Sequence, residues 1–299
     1  MANLLERLQH MPTQGVALPF QGFIRYRESS EGLIGVRTPL NAQNTTIHRG
    51  LTPIVLTPIV LLHGIGSGSG SWMHLLGDES LGRVLAWDAP GYADSSPLKM
   101  AEPAASDYAQ VLWAWLDALQ INEVHLVGHS LGCIMAASAA RLQPARVKAL
   151  SLLSPAQGYG TATPEVRVKK RDERLQSMAE LGLQKMAEQR APRLLSVQAN
   201  AEQITLATHM MSHLNEGGYT QATQMLSTAN IRADLQAFKS ACSAPIQVAC
   251  GDQDIITPPQ TCRDLASLIH APYTDIAGAG HLCALEAPQL ISQILQSLR

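Results

Sequence analysis

The chain has 299 residues, enough for one large domain or for a core domain with an inserted subdomain. Hydrophobic residues make up 46% of it, which predicts a sizeable core, and the formal net charge of −2 without a basic stretch excludes nucleic acid as a partner. Aromatic residues are only 4% of the chain, so we expect any binding pocket to be mainly aliphatic.

The N-terminal residues lack the charged-then-apolar order of a signal peptide. The longest apolar run, 51–65, contains two prolines and a glycine and is too short to span a bilayer. The five cysteines are an odd number without a Cys-x-x-Cys pair, which favours free thiols in a reducing compartment. These features predict a cytoplasmic protein without a membrane partner, and they say nothing about its oligomeric state.

The first elements expected are two antiparallel strands within 16–37, around the polar turn at 28–32. Two copies of the sequence LTPIV follow at 51–60. Proline can begin a strand but cannot lie in the interior of a sheet, so we place the buried strand after Pro58, at 59–62. The first copy is expected to be peripheral.

Strand patterns and amphipathic helix patterns then alternate along the chain. The predicted strands are 84–87, 124–127, 147–153, 246–250 and 273–276. The predicted helices are 105–119, 131–142, 260–269 and 288–298. This alternation predicts an α/β fold with a mostly parallel, doubly wound sheet of about eight strands and helices on both faces.

A more polar block interrupts the alternation and has helical patterns only. We predict that residues 160–236 form a helical lid over the carboxyl edge of the sheet, where open sheets of this class bind ligands. The core would then comprise 1–159 and 237–299. Some of the leucines and methionines of the lid should face the pocket, although packing against the core is the simpler interpretation for any single one: Met178, Leu181, Leu183, Met186, Leu194, Leu195, Met210, Met211, Leu214 and Met225.

The sequence GHSLG at 128–132 stands between an apolar strand and a helix rich in small residues. This is the context of a nucleophile elbow, in which the backbone turns so sharply that only glycine fits two residues before and after the serine. The turn lifts the hydroxyl of Ser130 off the end of the strand. We therefore predict Ser130 to be a nucleophile.

A serine hydroxyl needs a base, and the base needs a third group to orient it. The elbow predicts both downstream, in the order acid and then histidine. The strand at 246–250 is followed by Asp252 and Asp254, and the strand at 273–276 is followed by His281 on a glycine-rich loop. We predict Asp254 to be the acid and His281 the base, with Asp252 as the rival acid that orients its loop. The choice of Asp254 rests partly on its Gly-x-x-Asp spacing, which belongs to the family resemblance given below.

An oxyanion requires backbone amides already directed at it. The amide of Leu131, directly after the nucleophile, is one candidate. The other should come from the loop after the strand at 59–62, where Ile65 is the first choice and Gly66 the second. His63 is expected to shape this loop without transferring protons.

Three other signals favour no site. The glycine-rich run at 64–70 lacks both the third glycine of the dinucleotide fingerprint and the Gly-Lys-Ser/Thr of a P-loop. His209 and His213 have zinc-like spacing but no glutamate at the metalloprotease position, so we predict no metal site. The charged run at 169–174 is typical of a solvated helical face. No cofactor is predicted either.

Jointly, several segments resemble the α/β-hydrolase superfamily over nearly the whole chain: His63-Gly64, DAPGY at 88–92, the elbow at 128–132, Gly251 to Asp254, GAGH at 278–281 and EAP at 286–288. The lid sequences EGGYTQA at 216–222 and ADL at 233–235 resemble, more weakly, 3-oxoadipate enol-lactonase-like hydrolases. Two residues depart from the family pattern, Ala93 and Cys133, each in a place where glycine is frequent. A serine nucleophile also sets this chain apart from the haloalkane dehalogenases and epoxide hydrolases.

The residues and the resemblance together predict a cofactor-free serine hydrolase of a small carboxylic ester or lactone, acting through an acyl-enzyme on Ser130. The same residues could instead hydrolyse a carbon–carbon bond of a diketone, with Arg167, Arg171 or Arg174 assisting, or catalyse perhydrolysis. A non-enzymatic receptor for a small ligand is the remaining alternative.

Overall fold

The computed structural model describes residues 3–29 and 56–299. Its single sheet has the strands β1 (Gln14–Leu18), β2 (Gly22–Glu28), β3 (Ile59–Leu62), β4 (Val84–Trp87), β5 (Val124–His129), β6 (Val147–Leu153), β7 (Ile246–Gly251) and β8 (Tyr273–Ile276). Their spatial order is β1-β2-β4-β3-β5-β6-β7-β8. The β1–β2 and β2–β4 pairs are antiparallel and all later pairs are parallel, which confirms the predicted fold class.

The helices are α1 (Leu4–His10), α2 (Met73–Leu76), α3 (Ala105–Ala118), α4 (Leu131–Leu142), α5 (Pro164–Arg190), α6 (Ala201–Ser212), α7 (Glu216–Thr228), α8 (Ile231–Ala241), α9 (Pro259–Leu268), α10 (Cys283–Glu286) and α11 (Pro288–Gln296). Short 3-10 helices occur at Ser69–Trp72, Glu79–Leu81, Pro144–Arg146 and Ala191–Leu194. Among the described helices, none is long and apolar enough to cross a membrane.

The central strands are buried on both faces, as a parallel sheet covered by helices requires. In β3, Val60 and Leu62 join the core formed with α3, α4, α8 and α9. The alternate residues Ile59 and Leu61 join a second core formed with α2 and α11. All four side chains are fully buried, which explains why this strand reads as one continuous apolar run.

The first hairpin differs from the prediction. Its turn lies at 19–21, between β1 and β2, inside a segment predicted to be strand, and the predicted turn at 28–32 extends beyond the described residues. Pro19 occupies the second position of a β-turn closed by the hydrogen bond from the Gln21 amide to the Leu18 carbonyl, 3.3 Å long. Phe20 takes the third position with φ of 67°, a conformation in which glycine is usual. Because the sequence has phenylalanine there, it does not carry the usual signal of a turn. The first LTPIV copy and the expected strand segment after residue 29 lie outside the described residues.

Between β6 and β7 the chain is helical throughout, apart from connecting loops. Helix α5 is interrupted at Gly182, whose φ of 69° and ψ of 164° are not helical, so it consists of two rods. Helix α8 contains the predicted lid boundary at residue 236. It packs against α4, and Asp234 accepts a hydrogen bond from Arg141 at 2.7 Å.

A polar row crosses the centre of the sheet. His125 on β5 is hydrogen-bonded to Ser151 on β6 at 2.8 Å, and Gln247 on β7 donates to the same hydroxyl at 2.8 Å. Burial, with a further contribution from Arg299, lowers the pKa of His125 to about 3. The folded protein therefore holds this imidazole neutral over most of the acid range.

This burial predicts acid sensitivity. Below pH 6.5 the unfolded chain protonates His125 while the folded chain does not, so stability falls as the pH decreases toward 3. In His125→Gln this penalty is absent. At pH 7 the variant is expected to be less stable than wild type. This difference in unfolding free energy should become about 2.5 kcal/mol smaller at pH 4.5. Urea titrations at the two pH values measure this, and an equal deficit at both would contradict it.

Candidate active site

The elbow joins β5 to α4 at Ser130, which adopts φ of 52° and ψ of −115°. Its amide donates to the Leu153 carbonyl of the neighbouring strand at 3.0 Å, which fixes the turn. A Cβ atom on Gly132 would overlap the Leu62 carbonyl, and one on Gly128 would overlap the backbone of Cys133. Both glycines are thus required by close approach of the backbone, as the motif predicts.

His281 and Asp254 meet at the ends of β7 and β8. His281 Nδ1 donates to Asp254 Oδ2 over 2.8 Å, with both residues buried. The other carboxylate oxygen accepts the amides of Ile256 at 2.8 Å and Thr257 at 2.9 Å. Burial alone would raise the pKa of the Asp254 carboxyl, but the hydrogen bond and charge of His281, with the hydrogen bonds from Thr257, hold that pKa well below its usual value. Asp254 is thus a carboxylate that fixes the orientation of the imidazole.

Asp252, the rival acid, is exposed and has no hydrogen bond to the imidazole among the described residues. Its Oδ1 accepts the amide of Gly278 at 2.9 Å. This contact ties together the two loops that carry Asp254 and His281. The geometry therefore separates the two aspartates, since Asp254 contacts the histidine ring and Asp252 contacts the loop backbone.

Ser130 and His281 line one cavity of about 780 Å³, together with Ile65 and Leu131. Within the described residues, no hydrogen bond joins Ser130 Oγ to the imidazole. Catalytic hydrogen bonds in empty sites are often long and tighten only when substrate binds. The amides of Ile65 and Leu131 donate to no described group, so each is available to an oxyanion.

His129, the variable residue before the nucleophile, has a structural role that the sequence did not reveal. Its Nε2 donates to the backbone carbonyl of His281 at 2.7 Å, and the two rings lie 4.7 Å apart. Burial, followed by repulsion from His281, lowers the pKa of His129 to about 3. The neutral ring therefore supports the loop that carries His281 without placing a second positive charge beside it.

The loop of Ile65 is held by two aromatic rings. His63 Nε2 accepts the amide of Ala89 at 3.0 Å and its Nδ1 donates to the Gly64 carbonyl at 2.9 Å, consistent with the shaping role expected for it. Tyr92, which is buried, donates its hydroxyl to the Ile65 carbonyl at 3.0 Å. Tyr92 belongs to the DAPGY segment, but nothing in the sequence assigned it this contact.

Tyr92→Phe is expected to lower kcat by about 2- to 10-fold with little change in KM, because the loop that presents the Ile65 amide loses one hydrogen bond. Kinetics with an activated ester measure this. Tyr108→Phe is the matched control, since the buried Tyr108 hydroxyl has no partner among the described residues. Equal losses in both variants would contradict a positioning role for Tyr92.

Glu286 connects the His281 loop to the helical block above it. Its Oε2 accepts the amide of Gly280 at 2.8 Å, and its Oε1 accepts the amide of Ser196 at 2.8 Å. Gly280 lies so close to this segment that a Cβ atom on it would stand 2.6 Å from the Ser196 nitrogen. One side chain therefore positions both the histidine loop and the chain that follows α5.

The lining of the cavity combines apolar and charged side chains. Three of the ten candidate leucines and methionines line it, namely Met186, Leu194 and Met211. The charged run at 169–174 is only partly a solvated face, since three of its members line the cavity: Lys170, Glu173 and Arg174. Arg190, Arg193 and Arg232 also line it. Arg167 and Arg171, which sequence analysis grouped with Arg174, do not.

The discounted motifs have local structural roles. In the glycine-rich run, Asp88 accepts the amide of Ser69 at 2.7 Å, so this amide is occupied. His213 Nδ1 donates to the His209 carbonyl in the last turn of α6 at 2.8 Å, and the two ring centroids lie 4.0 Å apart with the planes tilted by 41°. In the described part of the chain, no three His, Cys, Asp or Glu residues gather as a metal site would require.

The two departures from the family pattern have different consequences. Cys133 is buried, and its thiol donates to the Gly128 carbonyl at 3.1 Å; burial raises its pKa. Ala93 has φ of 45°, in the left-handed region that favours glycine, at a cost of about 1 kcal/mol. Neither residue lines the cavity.

The sheet order, the elbow and the aspartate–histidine pair at the strand ends define an α/β-hydrolase. A family model described as the alpha/beta hydrolase fold matches residues 57–288, and the chain belongs to this family. The resemblance found in the sequence is thereby confirmed.

Three known proteins are similar to this chain. It is 28% identical over 247 residues to the dihydrolipoyllysine-residue acetyltransferase component of the acetoin cleaving system of Pseudomonas putida, covering 79% of this chain and 62% of that protein. The chain thus spans less than two thirds of that relative. A thermophilic esterase from Thermogutta terrifontis aligns with a TM-score of 0.76 and 21% identity, over 96% of this chain and 97% of its own. The enol-lactonase from Burkholderia xenovorans LB400 aligns with a TM-score of 0.75 and 18% identity, over 95% of this chain and 99% of its own.

Proposed function

We propose that the protein hydrolyses a small carboxylic ester or lactone through an acyl-enzyme on Ser130. The observation that carries this proposal is the 2.8 Å contact between His281 and Asp254, opening on the same cavity as the elbow serine. The esterase and the enol-lactonase that share the fold are consistent with this reaction class.

In the first half of the reaction, Ser130 Oγ attacks the substrate carbonyl while His281 Nε2 takes its proton. Asp254 holds Nδ1–H toward itself, so that Nε2 is the free, basic nitrogen, and it stabilises the imidazolium that forms. The amides of Ile65 and Leu131 receive the charge that develops on the carbonyl oxygen. His281 then passes the proton to the leaving alcohol, and the acyl group stays on Ser130.

In the second half, His281 accepts a proton from water as the water attacks the acyl-enzyme. The same two amides receive the second oxyanion. As it collapses, His281 returns the proton to Ser130 Oγ, which releases the acid and regenerates the hydroxyl. Only water is consumed, so the reaction as proposed needs no cofactor.

The helical block supplies the roof of the cavity. We propose α5, α6 and α7 as the lid, with the first boundary at 160 as the sequence predicts. The second boundary fits better near 230 than at 236, because α8 packs on the core helix α4.

Five free cysteines support the proposed location in a reducing cytoplasm.

Carbon–carbon bond hydrolysis of a diketone is the second candidate, favoured by the position of Arg174 at the cavity. A panel of aryl esters, lactones and a ring-cleavage diketone, run on wild type and Ser130→Ala together, separates the two. Serine-dependent turnover of an ester or lactone supports the proposal. Turnover of the diketone alone would replace it with the second candidate.

A further inference from the structure

The cavity is far more cationic than the chain as a whole. The chain has a net charge of −2, yet five cationic side chains and only two carboxylates line this cavity. The cations are Lys170, Arg174, Arg190, Arg193 and Arg232, and the carboxylates are Glu173 and Asp264. Lys170 and Glu173 pair with each other at 3.3 Å. The remaining lining carries a positive excess beside the proposed nucleophile.

The four arginines have no carboxylate within 4.0 Å among the described residues. Arginines elsewhere commonly have one, as Arg83 pairs with Glu28 at 2.8 Å and Arg141 pairs with Asp234 at 2.7 Å. An unpaired guanidinium at a concave site attracts an anion, because the low-dielectric walls concentrate its field. The cavity therefore offers charge that no described carboxylate neutralises.

Arg190 is the best placed of the four. It is half-buried at the end of α5, and its Nη1 donates to the hydroxyl of Tyr219 on α7 at 3.1 Å. Tyr219 is 2% exposed and lines the same cavity. Since the tyrosine oxygen accepts from Arg190, its own proton is free to be donated. The pair thus offers a guanidinium and a hydroxyl donor together to a ligand in the cavity.

A second arginine without a carboxylate partner in the described part of the chain, Arg174, lines the cavity together with the oxyanion loop. Ile65, which offers the candidate oxyanion amide, is part of the same lining. Tyr92 in turn holds the Ile65 carbonyl. The unpaired arginines and the groups proposed to act on the scissile bond therefore line one cavity.

We propose that the substrate is an ester or lactone that carries a carboxylate, bound by Arg190 and Tyr219. Guanidinium matches the planar carboxylate with two parallel hydrogen bonds, which adds specificity to charge. A cavity of about 780 Å³ holds such a substrate. The inference rests on the proposed serine hydrolysis for its reaction and on the lid contacts for its specificity.

The test uses matched pairs that differ only in charge. The first is 4-nitrophenyl hydrogen glutarate against its methyl ester, with the charge on the acyl side. The second is 3-acetoxybenzoate against its methyl ester, with the charge on the alcohol side. In at least one pair we expect kcat/KM to favour the anionic member by about 10- to 100-fold. The preference should shrink when NaCl is raised from about 0.05 to 0.5 M.

Variants connect the preference to the lid. Arg190→Gln should reduce the anionic-to-neutral ratio about 10-fold or more, Tyr219→Phe by less, and Arg190→Lys should retain part of it. Arg167→Gln is the matched control, because Arg167 lies on the same helix, is equally half-buried and does not line the cavity. Its ratio should equal that of wild type. A wild-type ratio near or below one in both pairs, or a ratio unchanged in Arg190→Gln, would overturn the inference.

Binding separates this inference from the reaction itself. Calorimetry on Ser130→Ala should show monomethyl glutarate binding at least about 10-fold more tightly than dimethyl glutarate, with the difference lost in Ser130→Ala/Arg190→Gln. Neutral esters cleaved in a serine-dependent way without an anionic preference would overturn the inference alone. If no substrate is cleaved but the binding preference is present, the proposed reaction fails and the anion site remains. Equal binding of both glutarates would overturn the site.

Discussion

Ser130→Ala is expected to lower kcat/KM for an activated ester by about 10⁴- to 10⁶-fold, because no other group in the proposed mechanism can form the acyl-enzyme. The residual rate should come from the oxyanion amides and from binding. Initial rates with a 4-nitrophenyl ester, corrected for the uncatalysed reaction, measure the loss. Turnover within tenfold of wild type would contradict the proposed nucleophile.

The same position provides a control for folding. The φ of 52° and ψ of −115° at Ser130 lie outside the conformations that residues with a Cβ atom prefer, at a cost of about 1–3 kcal/mol. Alanine retains this strain and glycine relieves it, less the entropy that glycine adds to the unfolded chain. The free energy of unfolding of Ser130→Gly should therefore be about 1 kcal/mol higher than that of Ser130→Ala. Both variants should be folded and inactive, so the loss of rate cannot be attributed to unfolding.

Asp254→Asn is expected to lower kcat by about 10⁴-fold, because the amide no longer holds the imidazole in the tautomer that leaves Nε2 free to accept a proton. It also removes the charge that stabilises the imidazolium. Steady-state kinetics at pH 7–8 measure the effect. The loss should appear in kcat more than in KM, since Asp254 does not line the cavity.

Asp252→Asn is the matched control for this substitution, two residues away in the same loop. Its side-chain oxygen can still accept the Gly278 amide, now held at 2.9 Å, so a change of about threefold or less is expected. If Asp252→Asn were as damaging as Asp254→Asn, the assignment of the acid would be wrong.

The regular elements could be predicted closely wherever one pattern dominates. Strands β3 and β4 have the predicted limits, because burial of every residue gives each an uninterrupted apolar run. The turn of the first hairpin could not be predicted, because Phe20 occupies a turn position where glycine is the usual sequence signal.

The candidate site also contains residues that a local sequence pattern predicts and residues that it does not. The positions of Ser130, Asp254 and His281 follow from strand ends and backbone constraints that leave local motifs in the sequence. The support from His129 and Glu286 depends on contacts between distant segments, for which no local pattern exists. Arg190 belongs to a long polar helix, and only its packing against Tyr219 distinguishes it from an ordinary solvated arginine.

The most direct test of the central claim is covalent labelling of the native protein with a fluorophosphonate, followed by peptide mass spectrometry. We expect one adduct, on the peptide that contains Ser130, and we expect His281→Ala to slow its formation by at least about 10³-fold because the hydroxyl loses its base. Absence of labelling, labelling of another serine, or labelling at an undiminished rate in His281→Ala would contradict a histidine-activated nucleophile at the elbow.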